Sequence, residues 1–338
     1  MTTMSPDPQP TAPRVEDAAV VTAVRAGDEA MFGRLTERHR RELHVHCYRM
    51  LGSFEEAEDL VQETFLRAWR HHEQFEGDHF RAWLYRIATN ACLDHIRRKG
   101  RRAEEVSSFA EIPWLQPYPD RLLDEVAPRE EEPDAMVVAR ETIELGFLAL
   151  IQILPARQRA VLILRDVLEF SAQETADALE TSVASVNSAL QRARATLGDR
   201  APAERAEWSA DAELTKQERE LLQGFIDTHQ RGDHEGAVRL MAEDIRVTMP
   251  PLEMVYDGID AMAPLFARAF TDEDAGEWRL LPTRLNRMPA AASYHRAPGA
   301  SEFTPFKIDV IRVRDGKIAE VTTFGTAVFG ELGLPAAL

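Results

Sequence analysis

Two groups of side chains in this sequence have the type and spacing to bind nucleic acid. The first is a run of five cations in six positions, Arg97, Arg98, Lys99, Arg101 and Arg102. Cations near a helix C-terminus are favoured by the helix dipole, but five exceed that need and suit phosphate oxygens, which fix position rather than sequence. The second is Ser185, Asn187, Ser188, Gln191, Arg192 and Arg194. Asn and Gln can pair bidentately with adenine in a major groove, Ser reads little alone, and the two Arg suit phosphates. Other chemistry-bearing residues lack the company they would need. His44, His46 and Cys47 in HVHCY have no second ligand cluster, and Cys47 and Cys92 are the only cysteines, so neither a metal site nor a disulfide framework is expected. Asp244, Asp257, Asp309 and His295 could each serve as a base, yet no spacing marks a catalytic dyad.

The elements that must position the two binding groups are helical. In EEAEDLVQETFLRAWRH, Ala57, Leu60, Val61, Thr64, Phe65 and Ala68 recur at spacings of three and four, an apolar stripe that leaves Glu58, Asp59, Gln62 and Glu63 facing outward. FRAWLYRIATNACLDHIRRKGRR places Trp83, Leu84, Ile87, Ala91 and Ile96 in a core and leads into the basic run. Further on, LPARQRAVLILRDVL reads as a buried helix followed by two short ones. Ser171 and Glu174 form a capping box for the first short helix, Ser182 caps the second, and Ala176 and Ala184 suit a close crossing. This spacing predicts a helix-turn-helix, although an ordinary helical hairpin has the same signature.

Charge divides the chain more sharply than the total of −17 suggests. Residues 30–102 carry 14 bases against 11 acids, and residues 103–146 carry 3 against 12. The acidic stretch, with Pro at 113, 117, 119, 128 and 133, reads as an extended linker. It is either a solvated spacer or a segment that mimics nucleic acid, lying in a partner's positive channel or over the basic module. Residues 147–200 balance at 6 and 6. The last part changes character: two helices (TKQERELLQGFIDTHQRGD and HEGAVRLMA) precede strands IRVTM, EMVYDG, WRLLPTRLN, AASYHRA and FKIDVIRVRDGKIAEVTTF, with Asp315–Gly316 suiting a tight hairpin. Helices followed by a meandering antiparallel sheet make an α+β domain.

The combination AEDLVQETFLRAW, FRAWLYRIATNACLDHIRRK and LPARQRAVLILRDVLEFSAQETADALETSVASVNSALQRAR resembles regions 2 and 4 of the extracytoplasmic-function sigma factors of the sigma-70 family. The tail is similar to a SnoaL-like domain of the NTF2 superfamily, on element order and fragments such as DIRVTMPP and VYDG; the pairing resembles sigma-G-like and sigma-J-like groups. The resemblance implies a multidomain chain. Residues 1–25 would be a disordered N-terminus, 26–102 an all-α region 2 bundle, 103–146 the linker, 147–200 a helix-turn-helix region 4, and 213–332 an α+β cone domain.

The resemblance also assigns roles. Asp59, Gln62 and Glu63 would dock on core RNA polymerase. Promoter melting needs one strand held unstacked by aromatic platforms and cations, which His71 to Arg102 supply; the loop between Phe75 and Phe80 would take a flipped base, and Arg86, Asn90, Asp94 and Arg97 would read the −10 strand. Arg98, Lys99, Arg101 and Arg102 would contact phosphates. Ser185, Asn187, Ser188 and Gln191 would read the −35 element, with Arg192 and Arg194 on phosphates. In the tail Met249, Tyr256, Trp278, Tyr294 and Phe324 would line a pocket for an unknown small ligand or fill a plain core, and the domain would pack on regions 2 and 4 to regulate in cis. No cofactor is implied. The rivals are a stand-alone helix-turn-helix regulator and a small-molecule enzyme fused to a DNA-binding module. No apolar run is long enough for a membrane span and the N-terminus has no secretory pattern, so the cytoplasm is the expected compartment.

Overall fold

The structure, a computed structural model, describes residues 24–75, 80–100, 114–124, 145–200, 214–262 and 276–338, with Thr22, Ile112 and Pro264. Arg101, Arg102, loop 76–79 and most of segment 1–25 lie outside the described residues.

The first helical domain consists of α1 (Glu29–Leu51), α2 (Phe54–Arg70) and α3 (Phe80–Lys99). Gly52 ends α1 at φ 73, a left-handed conformation that glycine adopts without strain, and Ser53 at once caps α2 by accepting from the Glu56 N–H. The stripe expected on α2 is buried at Ala57, Leu60, Val61, Thr64 and Ala68. On α3, Trp83 packs 5.1 Å from Phe75 and 5.5 Å from Phe80, a core position.

The linker contributes a short helix, α4 (Asp120–Asp124), and then come α5 (Leu145–Gln152), α6 (Ala156–Leu162), α7 (Ala172–Ala178) and α8 (Val183–Arg200). The Ser171 capping box forms: Glu174 N–H donates to Ser171 Oγ at 3.1 Å, and Ser171 N–H donates to Glu174 Oε2 at 2.7 Å. Ser182 Oγ accepts from the Ser185 N–H at 3.2 Å, so α7 and α8 form the helix-turn-helix. Ala176 is buried at the crossing but Ala184 is exposed; Val186, Ala189 and Ala193 supply the inner side of α8 instead.

The tail begins with α9 (Lys216–Arg231) and α10 (His234–Leu240) and continues as β1 (Met241–Met249), β2 (Leu252–Asp257), β3 (Glu277–Leu285), β4 (Met288–Arg296), β5 (Thr304–Arg314) and β6 (Lys317–Phe324). Their order in the sheet is β2-β1-β6-β5-β4-β3. The antiparallel meander holds from β3 to β6, but β1 and β6 pair in parallel, so the sheet is mixed. After β2 the chain re-enters at the far edge and works back, which brings its last strand to lie beside its first. Asp315 and Gly316, at φ 49 and 74, make the expected hairpin. A second tight turn sits at Asn286 and Arg287, φ 53 and 63, where the sequence pattern had carried the strand through Asn286.

The linker departs most from expectation. Ile112, Leu115, Tyr118 and Leu122 are each at most 2% exposed, so this part is not a solvated spacer. Burying each Leu or Ile side chain contributes about 1.5–3 kcal/mol, enough to dock a Pro-rich segment. One continuous apolar core joins the two helical domains, the linker and the outer face of the sheet through Leu285, Ala292, Tyr294, Ile308 and Phe324. A second core, with Leu222, Phe225, Ile226, Leu280, Ile311 and Val321, lies between α9 and the other face.

Candidate nucleic-acid interface

On α2 the amphipathic repeat turns the acidic side to solvent: Asp59 and Gln62 are exposed, and Glu63 is half-buried with Arg67 Nε 2.7 Å away. Leu66, one turn on, is 52% exposed, an apolar addition to this face that the charge pattern did not single out.

The face of α3 expected to read a single strand is partly covered. Arg86 Nη2 is 2.8 Å from Glu180 Oε1 in the α7–α8 turn, and Asn90 Nδ2 donates to the Ala178 carbonyl at 3.3 Å. Tyr85 meets Phe170 edge-on at 5.7 Å. Asp94 is bound to Arg67 at 3.5 Å and Arg97 at 3.2 Å, so it braces cations on this face. Arg97, Arg98 and Lys99 are exposed, with Lys99 loosely paired to Glu56 at 3.9 Å.

The face of α8 is open. Ser185, Asn187, Ser188, Gln191, Arg192 and Arg194 are all exposed on one side, opposite buried Val186, Leu190 and Ala193. Arg194 grips Asp166 through Nε at 2.9 Å and Nη2 at 2.6 Å, which fixes its guanidinium at the helix surface.

Two joints hold the domains together, and neither was legible beforehand. In the first, buried Arg159 on α6 donates to the carbonyls of Ile151, Gln152, Leu154 and Met50 and to Gln152 Oε1, while Gln152 Nε2 donates to the Arg49 carbonyl. Arg49 and Met50 belong to the last turn of α1, whose carbonyls have no partner within their own helix. In the second, the β3–β4 turn meets the linker. Asn286 N–H donates to the Tyr118 carbonyl at 2.9 Å, Asn286 Oδ1 accepts from the Tyr118 N–H at 2.7 Å, and Asn286 Nδ2 donates to the Tyr48 hydroxyl at 3.0 Å. Tyr48 donates onward to the Gln116 carbonyl at 2.7 Å, and Asp120 Oδ1 accepts from the Arg287 N–H at 2.7 Å. Tyr118 also shares a 2.9 Å hydrogen bond with His44 Nδ1 on α1. Burial, with the charges of Arg41 and Arg40 added, lowers the His44 pKa to about 4, so the ring is neutral.

The five tail residues proposed as pocket lining are not brought together. Met249, Tyr256 and Trp278 pack on the α9 side, whereas Tyr294 and Phe324 lie in the outer core, Tyr294 donating to the Pro335 carbonyl at 2.8 Å. The candidate bases are likewise dispersed. Asp244 binds Arg314 at 2.6 Å, Asp257 lies 3.3 Å from Arg246, Asp309 binds Lys307 at 2.9 Å, and the His295 ring lies tilted 4.6 Å from Trp278. His46 bonds Thr89 at 2.9 Å, and Cys47 contacts Cys92 in the core. Among the described residues no group of three or more His, Cys, Asp or Glu is placed to hold a metal ion, and no helix is long and apolar enough to cross a membrane.

A helix-turn-helix with an exposed polar and cationic face, a second helical domain ending in cations and an outward acidic helix face are the features of a DNA-binding transcription factor. Residues 35–102 match Sigma-70 region 2, residues 145–197 match Sigma-70, region 4, and residues 222–321 match the SnoaL-like domain. The chain is 39% identical over 329 residues to the ECF RNA polymerase sigma factor SigG of Mycobacterium tuberculosis, a match covering 93% of this chain and 86% of the relative. Against SigW of Bacillus subtilis it is 32% identical over 178 residues, 52% of this chain and 92% of SigW. The crystal structure of Mycobacterium tuberculosis SigJ shares the fold at 22% identity and a TM-score of 0.57, covering 86% of this chain and 95% of SigJ. The chain therefore belongs to the extracytoplasmic-function sigma factors of the sigma-70 family, and carries a C-terminal SnoaL-like domain. As a sigma factor it binds core RNA polymerase and promoter DNA.

Proposed function

We propose that this sigma factor starts transcription from the cytoplasm in two states, and that the structure is the closed one, held by the tail through the linker. The observation that carries this reading is the Arg86–Glu180 contact at 2.8 Å, which sets the −10 face of region 2 directly against region 4. By their names the two promoter elements lie about 25 base pairs apart, roughly 85 Å of duplex at 3.4 Å per base pair. Regions in contact cannot span that distance, so promoter binding requires them to separate. Asp59, Gln62 and the exposed Leu66 are open in this state and, with half-buried Glu63, dock on the polymerase; Ser185, Asn187, Ser188 and Gln191 then read the −35 element, with Arg192 and Arg194 on phosphates. Arg86, Asn90 and Arg97, with Asp94 bracing them, serve the −10 strand once α7 has moved, and Arg98 and Lys99 contact its phosphates. Arg101 and Arg102 complete the run in sequence.

Removing the tail would uncover Tyr118 and Pro119, which the β3–β4 hairpin contacts, so a point variant in the full chain is the cleaner test. Run-off transcription with purified core polymerase on a promoter library compares the native chain with Asn286→Gly and with Asp59→Lys/Glu63→Lys. The hairpin variant is expected to increase promoter-specific transcripts, and the charge reversal to abolish them by preventing core binding. Equal or lower output from a folded Asn286→Gly protein would defeat the closed-state reading; unaltered core pull-down by the double variant would defeat the docking assignment.

A further inference from the structure

Beyond Leu162, α6 does not simply end but widens into a single π turn, Ile163–Val167, closed by the Leu168 N–H donating to the Ile163 carbonyl at 3.0 Å. Ile163, Leu164 and Val167 are buried, the Phe170 N–H donates back to the Leu164 carbonyl at 2.9 Å, and Arg165 Nη1 donates to the Phe170 carbonyl. Glu169 turns the chain at φ 56, a left-handed value that these contacts hold in place. Single π turns inside helices are rare and often stand at functional sites. This one is pinned at both ends, and the side chain it presents to α8 is Asp166.

Asp166 Oδ2 accepts from Arg194 Nε at 2.9 Å, and Oδ1 accepts from Nη2 at 2.6 Å. A guanidinium carries five N–H donors in one plane. The aspartate takes the two on its side edge and leaves three, among them the end pair on Nη1 and Nη2 that matches two oxygens of a phosphate. The Arg194 and Asp166 side chains are 61% and 29% exposed, so the pair contributes little to stability. Its effect is on where the guanidinium stands. An untethered arginine samples many rotamers, and binding must meet the cost of ordering it.

We propose that Asp166 is a positioning residue for promoter binding: it holds the side edge of the Arg194 guanidinium so that the end edge is a preformed two-point fork for one phosphate beside the −35 element. The inference rests on the reading of Arg194 as a phosphate contact. Two effects of Asp166 oppose each other. Its charge repels the DNA, worth about twofold across roughly 7 Å of water and weakened by salt. Its hold on Arg194 removes the ordering cost, worth about twofold to tenfold and insensitive to salt. At physiological ionic strength the hold wins, so removing this carboxylate weakens DNA binding even though it makes the protein less negative.

Holoenzyme assembled from core polymerase and the full chain is titrated onto a fluorescein-labelled promoter duplex taken from the library, with anisotropy read from about 0.1 to 0.3 M KCl. Arg194→Ala is expected to weaken binding several-fold and to reduce the salt slope by about one. Asp166→Ala should weaken it by about twofold to tenfold at every salt concentration. Asp166→Asn, which keeps one acceptor in the same shape, should fall between native and Asp166→Ala. Because Asp166 acts through Arg194, Asp166→Ala should bring no further loss in an Arg194→Ala background and its usual loss in an Arg192→Ala background. Unchanged or tighter binding by Asp166→Ala, or the same loss with Arg194 already replaced, overturns the proposal while leaving Arg194 on its phosphate. Unchanged binding by Arg194→Ala overturns the phosphate assignment, and the proposal with it.

Discussion

Region 2 is gripped at two places, and the two grips are built from different chemistry. Toward region 4, Arg159 and Gln152 reach the last-turn carbonyls of α1, and most of the Arg159 bonds stay within region 4 itself. This grip caps a helix from outside, and two of its bonds, Arg159 to the Met50 carbonyl and Gln152 to the Arg49 carbonyl, cross to α1, so few are broken when the domains part. Toward the tail, Asn286, Tyr118 and Tyr48 exchange hydrogen bonds while each is fully buried, so separation would leave several groups to be resolvated together. On the proposed two-state reading, the difference teaches which joint opens: the region 2–region 4 contact parts, and the hairpin–linker contact sets how long it stays shut.

The comparison can be broken at four points. Arg159→Met should have the largest effect, about 3–5 kcal/mol of lost stability, because it strands several buried carbonyls at once. Urea unfolding read by tryptophan fluorescence measures this, and a loss below about 1 kcal/mol would show that the guanidinium is not the organising group. Asn286→Gly keeps the left-handed turn and removes only the side chain, with an expected cost of about 1–3 kcal/mol and faster hydrogen exchange at the Tyr118 amide. If exchange at Tyr118 is unaffected, the hairpin does not hold the linker.

The third point is pH. His44 is neutral in the fold, with its pKa lowered to about 4 by burial and by Arg41 and Arg40, against an ordinary 6.5. A depressed folded pKa means that the contribution is complete above pH 6.5 and is lost as pH falls through about 4, an effect of order 1–3 kcal/mol. Acidification from pH 7 to 5 should therefore loosen the linker in the native chain and less so in His44→Phe; identical pH profiles of thermal unfolding would exclude His44 as the source. The smallest effect belongs to Glu180→Ala, about 0.2–1 kcal/mol, since Arg86–Glu180 is an exposed pair. Its signature is salt: raising ionic strength should open the native region 2–region 4 contact toward the variant's distance in a two-probe fluorescence measurement.

Local rules carried the sequence reading far, and long-range partners are where it stopped. The Ser171–Glu174 box, the Ser182 cap and the Asp315–Gly316 turn each depend on residues within three positions of one another, and each forms. The outward side of α2 and the open face of α8 follow from helical spacing alone. The docked linker was not legible because its Pro and acid content dominates the composition, while the residues that anchor it, Ile112, Leu115, Tyr118 and Leu122, are scattered among them. Arg159 was passed over because a fully wrapped arginine is rare and nothing local marks it. Asn286 sat in a strand pattern, and Arg287 is an unusual second residue for a tight turn. The five aromatic and Met positions in the tail were grouped by type; strand alternation then sends them to opposite faces.

The parallel pairing of β1 with β6 bears on the life of the chain on the ribosome. β6 lies between β1 and β5, so until it is made the tail consists of two unconnected pieces, β2-β1 and β5-β4-β3. Regions 2 and 4 are complete long before that strand emerges. At about 5–20 residues per second the interval is roughly 10 s. On the proposed closed-state reading, each newly made molecule passes through a period in which its promoter-reading domains exist and its restraint does not, and the last strand to be synthesised starts the clock on control.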